Sequence, residues 1–208
     1  MAAEYFEVHP DNPHGRQIRQ IVDRLRKGAI VAYPTDSCYA FGCHIGDKDA
    51  LDRIKRIREL DKHHNMTLLC SDMAQIAQYA RVDNWQFRML RHATPGPFTF
   101  VLQATAQVPR RLHTGRRKTI GVRVPQDNIA QALLSELGEP LLSCTATLPG
   151  RELPFHDAQE ISDALAHQLD VIVDGGFSGM QPTTVVDISA GDAQILREGK
   201  GELSLLGL

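Results

Sequence analysis

The chain has 208 residues, 42% hydrophobic and 23% charged, with 23 lysines and arginines against 25 acids and a formal net charge of −2. That composition fits one globular domain over 1–208 with a sizeable core, and it excludes a general attraction for polyanions through overall charge. No apolar run approaches the ~18 residues of a membrane span and the opening MAAEYFEVHPDNPHG is too polar for a signal peptide, so a cytoplasmic protein with no membrane partner is expected.

Residues 14–27 place Ile18, Ile21, Val22 and Leu25 at helical spacing, with Gly28 as the stop. The run AIVAYP predicts a buried strand ended by Pro34, and TDSCYAFGC reads as the turn beyond its tip. Helical period returns over 48–60 through Leu51, Ile54, Ile57 and Leu60, leaving Arg53, Lys55, Arg56 and Arg58 on the remaining faces. A strand MTLLC, helices over SDMAQIAQYA and NWQFRMLRHA, the breaker TPGP and a strand FTFVLQA follow. The stretch 108–124 then reads as a basic loop running into a strand, TIGVRVP. A helix NIAQALLSELG, a strand PLLSCTA, a helix near DAQEISDALAHQL, strands VIVDGG and TTVVDIS and a terminal AQILREG complete the chain. Helix and strand signals alternate with short Gly/Pro punctuation, so the fold class is α/β or α+β, without repeats or low-complexity linkers.

Several familiar chemistries find no support. There is no GxxxxGK[ST] or GxGxxG phosphate loop and no GxSxG nucleophile elbow. His63 and His64 are adjacent, and adjacent side chains point apart, which argues for a solvated pair and against a shared metal. Cys38, Cys43, Cys70 and Cys144 sit at unrelated spacings, as reduced, half-buried thiols would.

The cations say more. Arg53, Lys55, Arg56, Arg58 and Lys62 are diluted by Asp52, Glu59 and Asp61, as on a salt-laced helix face. Residues 108–124 carry six cations and no carboxylate. Guanidinium forks match phosphate oxygens, and cations gathered without acids are relieved by a bound anion, so a phosphate-bearing ligand is expected, with a loop solvated by water and salt as the alternative. Arg110, Arg111, Arg116, Arg117 and Lys118 would form the rim that concentrates it.

Polar and basic residues recur at strand ends, where open α/β sheets collect ligands. They are PTD, TPGPFT, TIGVRVP, SCTATLPG, PTTVVD and LREGKG. Singly, PTD is a plain turn. Together, KGAIVAYPTDSCYAFGC, TPGPFTFVL, TIGVRVP, GEPLLSCTATLPG, LDVIVDGG and PTTVVDI with ILREG resemble the YrdC family, in its order and spacing, and within it the YciO-type proteins.

The resemblance covers nearly the whole chain. It implies one domain built on a strongly twisted mixed sheet, with helices on its faces and a basic concave cavity. It also implies the family reaction, in which L-threonine, bicarbonate and ATP give threonylcarbamoyl-adenylate and pyrophosphate for N6-threonylcarbamoyladenosine synthesis in tRNA. ATP would be a substrate with magnesium accompanying it, and no protein-bound metal is implied.

Residue by residue, the resemblance implies that Thr35, with Tyr39 in the same pocket, contacts the amino acid. Arg56 and Arg58, in RIR at the family's K-x-R, face the phosphates. Arg123 holds a carboxylate, Thr119 lies on its side of the strand, Thr183 sits near the nucleotide and Arg197 closes the cavity. The sequence departs where the family's S-x-N reads Thr145, Ala146, Thr147, where Arg56 replaces lysine, and where Leu69 stands near a family histidine. A threonine hydroxyl lacks an amide's paired donor and acceptor, so a weak or altered synthase activity is expected. The other class of function is an RNA-binding module, for tRNA or double-stranded RNA, using the same basic surface without catalysis.

Overall fold

The computed structural model describes residues 2–60, 66–113 and 118–207. Lys62, His63, His64, Arg116 and Arg117 lie outside the described residues. The strands are β1 (Glu4–Glu7), β2 (Val31–Tyr33), β3 (Ala40–His44), β4 (Thr67–Leu69), β5 (Phe98–Gln103), β6 (Thr119–Arg123), β7 (Leu141–Thr145), β8 (Val171–Asp174), β9 (Thr184–Asp187) and β10 (Gln194–Arg197). The helices are α1 (Gly15–Arg26), α2 (Lys48–Ile57), α3 (Met73–Tyr79), α4 (Asn84–Ala93), α5 (Asn128–Leu137) and α6 (Ala158–Leu165).

Sequence chemistry sets most of these ends. An aspartate carboxylate accepts a first-turn backbone N–H at the start of α2 through α6, from Asp47, Asp72, Asp83, Asp127 and Asp157. Gly138 closes α5 in the left-handed conformation at φ +73°, which a residue without Cβ adopts freely. Helix α2 stops at Ile57, three residues short of the periodic pattern, because Glu59 turns to φ +49°. Among the described residues no helix is long and apolar enough to cross a membrane.

The strands form one mixed, ten-stranded sheet in the order β1-β8-β2-β3-β7-β4-β6-β5-β9-β10, a single α/β domain. Strand alternation sorts its residues into two cores. On one face Val31, Tyr33, Val171 and Val173 pack with Ile18, Ile21 and Leu25 of α1 and Leu133 and Leu134 of α5. On the other, Phe41, Leu68, Phe100, Val122 and Leu142 pack with α2, α3, α4 and α6 through Ile54, Ile76, Leu90 and Ile161. Phe100 is fully buried there, and truncating such a ring costs about 3–5 kcal/mol. The four cysteines are all free, and all are buried outright where half-burial was expected.

Two strands escaped the sequence pattern. TDSCYAFGC is turn only as far as Tyr39; its second half is β3, antiparallel to both β2 and β7 and thus central. β1 is an edge strand pairing parallel with β8, and three of its four residues are exposed.

Candidate functional site

The face that carries α1 and α5 over β8, β2 and β3 is left open over the rest of the sheet. There it forms the floor of a cavity of about 580 Å3. Register explains its composition. Ala40 pairs with Thr145, Ser143 with Thr67, Thr67 with Gly121, Gly121 with Val101, and Thr99 with Val185, so alternate positions of neighbouring strands point the same way. These floor residues are small or hydroxylated, whereas their neighbours on the opposite face are Phe41, Leu142, Leu68, Val122 and Phe100. A Cβ on Gly121 would already stand 3.2 Å from Thr67 Oγ1 and 3.4 Å from Thr99 Cγ2.

One wall is the segment 34–39 between β2 and β3. The Thr35 hydroxyl donates to the Cys38 carbonyl at 2.7 Å and accepts from the Ser37 backbone N–H at 3.2 Å, closing a local turn. The turn aims Asp36 at the end of β6, where its Oδ1 accepts from Arg123 Nη2 at 2.5 Å. Both side chains are nearly sealed, at 8% exposure for Arg123 and 12% for Asp36. The pair is incomplete: Arg123 Nε and Asp36 Oδ2 are buried without a hydrogen-bond partner among the described residues. Lys200 reaches over from the C-terminal segment to donate to the Asp36 carbonyl. Gly179 packs so tightly on this segment that a Cβ would lie 2.3 Å from the Ser37 carbonyl oxygen.

Arg58 and Arg197 enter from two other directions. Arg58, at the C-cap of α2, donates to the Thr145 carbonyl at 2.7 Å, and its Nε is buried without a partner among the described residues. Arg197 donates through Nε and Nη2 to the Thr183 carbonyl at 3.1 and 2.9 Å, while the Thr183 hydroxyl lies 2.9 Å from that of Thr99. Burial first, opposed by the Cys38 thiol, and then the charges of Arg123 and Arg58 hold the Arg197 guanidinium below its ordinary range. The three cations therefore share one field. Arg151 also lines the cavity, but Glu160 neutralises it at 2.9 Å. Burial pushes the Cys38 thiol up despite Ser37, Arg123 and Arg197, which disfavours its thiolate in this wall of the cavity.

The structure thus brings Thr35, Tyr39, Arg58, Arg123, Thr145, Thr147, Thr183 and Arg197 to one cavity, and Leu69 as well. Two of these already have full local duties. The Thr35 hydroxyl is engaged by its own turn, and the Tyr39 hydroxyl donates to the Gly176 carbonyl at 2.8 Å. Arg56 does not join them. Successive helical residues turn by about 100°, so a cation two positions before Arg58 faces the other way. Arg56 is exposed, with Nε 3.4 Å from the Asp52 carbonyl of its own helix.

Thr119 shares the face of Arg123 but starts the strand about 13 Å away at the usual rise, and it does not line the cavity. Of the five residues expected to form the basic rim, Arg110, Arg111 and Lys118 are described. Arg110, Arg111 and Lys118 line no part of the cavity, and Arg111 instead caps the turn after β3 by donating to the carbonyls of Ile45 and Gly46 at 3.2 and 2.8 Å. Asp36, Ser37, Thr67, Thr99 and Gly121 were missed. Thr99 and Gly121 stood inside TPGPFT and TIGVRVP, where alternation from Arg123 marks them. Among the described residues no group of three His, Cys, Asp or Glu could hold a metal ion.

A family model, Sua5_yciO_yrdC, with the description "Telomere recombination", matches residues 23–199. The chain belongs to this family. YciO of Escherichia coli K12, an uncharacterized protein, is 50% identical over 201 residues, which cover 97% of this chain and 98% of YciO. The crystal structure of E. coli YciO superposes with a TM-score of 0.95 over 98% of this chain and 99% of that one. A threonylcarbamoyl-AMP synthase of Vibrio vulnificus is 32% identical over 186 residues, 88% of this chain and 98% of the relative. P. abyssi Sua5, in a crystal structure complexed with L-threonine, is 25% identical with a TM-score of 0.85, covering 94% of this chain and 57% of the longer Sua5. The ten-stranded sheet is the fold of this family.

Proposed function

We propose that the cavity binds L-threonine and ATP and makes threonylcarbamoyl-adenylate, the intermediate of threonylcarbamoyladenosine formation in tRNA. The observation that carries this reading is the convergence of Arg58, Arg123 and Arg197 on one cavity, two of them with a buried guanidinium N–H still unused. Buried donors of that kind are costly unless a ligand completes them. The family relationship to a threonylcarbamoyl-AMP synthase and to a threonine-binding Sua5 supports the choice of ligand.

The threonine amino group condenses with bicarbonate to a carbamate, releasing water, and a carbamate oxygen then attacks the α-phosphorus of ATP as pyrophosphate leaves. No enzyme-bound covalent intermediate is needed, so positioning and charge carry the rate. Arg123 lines the cavity with a buried Nε that has no partner among the described residues, and it receives the threonine carboxylate, held in place by Asp36 behind it. Arg58 and Arg197 face the phosphates from opposite walls, and Thr145 and Thr147 offer single hydroxyls to the nucleotide. Magnesium enters with ATP.

Incubating the pure protein with threonine, bicarbonate and ATP tests this. Pyrophosphate that appears only with threonine, and is lost in Arg58→Ala, supports the synthase. Salt-sensitive binding of tRNA or double-stranded RNA with no turnover overturns it in favour of an RNA-binding module.

A further inference from the structure

A second cavity, of about 420 Å3, lies outside the site just described. Its origin is topological. β4 and β6 are neighbours in the sheet and run parallel. The chain leaves β4 into α3, whose Ile76 packs in one core, and leaves β6 into α5, whose Leu133 and Leu134 pack in the other. Two adjacent parallel strands whose connections depart to opposite faces open a crevice at their carboxyl ends, the place where open α/β sheets most often take ligands. The main cavity occupies a sheet face instead, so the crevice is a separate feature of the fold.

Its lining selects a chemistry. Met73, Pro95, Val124 and Pro125 give it an apolar body, and Asp72 and Asp127, the caps of α3 and α5, line it too. Among the described residues no lysine, arginine or histidine lines it. Neither carboxylate forms an ion pair among the described residues. Each caps a helix, accepting from Gln75 N at 2.7 Å or Ala130 N at 2.8 Å, which fixes it in place. Burial first, and then the neighbouring Asp36, raise the Asp127 carboxyl to about 6 against its cap hydrogen bonds to Ala130 and Ile129 and the charge of Arg123, so a cation in the crevice relieves a cost the fold otherwise bears. A phosphate or an amino-acid carboxylate would meet two like charges.

We propose that this crevice is a binding site for an aliphatic ammonium, its hydrocarbon on Met73, Pro95, Val124 and Pro125 and its charge between Asp72 and Asp127. The site is independent of the synthase reading and is tested without any of that reaction's substrates. Isotope-labelled protein is titrated with n-butylammonium, with 1,4-diaminobutane and, as a neutral match, with n-butanol, following backbone amide shifts. The expected result is saturable shifts over residues 71–73 and 124–131 with both ammoniums and not with butanol.

Asp127→Asn and Asp72→Asn keep a capping oxygen on each helix, so the fold persists while the charge goes. Either variant is expected to weaken ammonium binding by about tenfold, the worth of one well-placed charge contact. Absence of saturable shifts, equal shifts with butanol, or unchanged affinity in both variants overturns the proposal.

Discussion

Arg123 and Asp36 meet at 2.5 Å at one wall of the cavity, each keeping one buried polar atom unused. Breaking such a pair from one side leaves a nearly sealed charge without its partner. Arg123→Ala is therefore expected to lower unfolding stability by about 3–5 kcal/mol, and Asp36→Asn by less, because an amide still accepts from Arg123. Urea denaturation measures both. Asp36→Asn should fold and yet bind threonine more weakly by calorimetry, because Asp36 holds Arg123 in place; unchanged affinity would show that Arg123 needs no such anchor.

Arg56, Arg58 and Arg197 should not behave alike toward ATP. Arg58→Ala and Arg197→Ala each remove a guanidinium from the cavity and should weaken ATP binding by about tenfold or more. Arg56→Ala removes an exposed side chain on the outer face of α2 and should change it less than about twofold. Equal losses at 56 and 58 would mean that α2 turns on binding.

Asp127 makes stability depend on pH with a defined sign. Its carboxyl is raised from 3.8 to about 6, chiefly by burial, so the folded state holds a proton that the unfolded state releases. The contribution is present in full below 3.8 and is lost as pH rises through about 6. Asp127→Asn keeps the cap and removes the titration. It should raise stability above pH 6 by about 1–2 kcal/mol, and flatten the fall between the two values, in melts taken across that range.

How far the sequence could speak is clearest at two arginines. Arg123 was legible through the family resemblance, which sets TIGVRVP as a strand beside the cavity, and the structure does bring Arg123 to the cavity. Arg56 was not, since a motif carried over from a family says which residues matter and nothing of the helix rotation that separates i from i+2. β3 was hidden for a third reason. Four of its five residues are buried, so no polar alternation marks it, and PTDSC just before it carries a strong turn signal. The basic stretch misled because its charge reads as one patch, whereas the fold divides its described cations among a turn cap at Arg111, a cavity wall at Arg123 and an exposed Lys118.

Arg111 should prove structural. Its guanidinium ties the loop before β6 to the Ile45 and Gly46 carbonyls, and none of it lines the cavity. Arg111→Ala should cost about 1 kcal/mol of stability, the net worth of such hydrogen bonds, and leave ATP affinity unchanged. A fall in affinity with no loss of stability would restore Arg111 to a phosphate-gathering rim.

Gly121 is where the cavity owes its depth to a missing side chain. It lies between Thr67 and Val101 on the floor, and an added Cβ would already be 3.2 Å from Thr67 Oγ1 and 3.3 Å from the Met66 carbonyl oxygen. Gly121→Ala asks those neighbours to yield by a few tenths of an ångström. Gly121→Val adds two methyls that have only the cavity to enter, since the opposite face is filled by Val122 and Phe100. Overpacking of this kind costs about 1–3 kcal/mol, which a domain of ordinary stability survives. The valine variant is therefore expected to unfold cooperatively at a lower temperature while losing threonine and ATP binding together, and the alanine variant to retain part of both. Should the valine variant bind both ligands as the parent does, they occupy some other part of the molecule than the floor of this sheet.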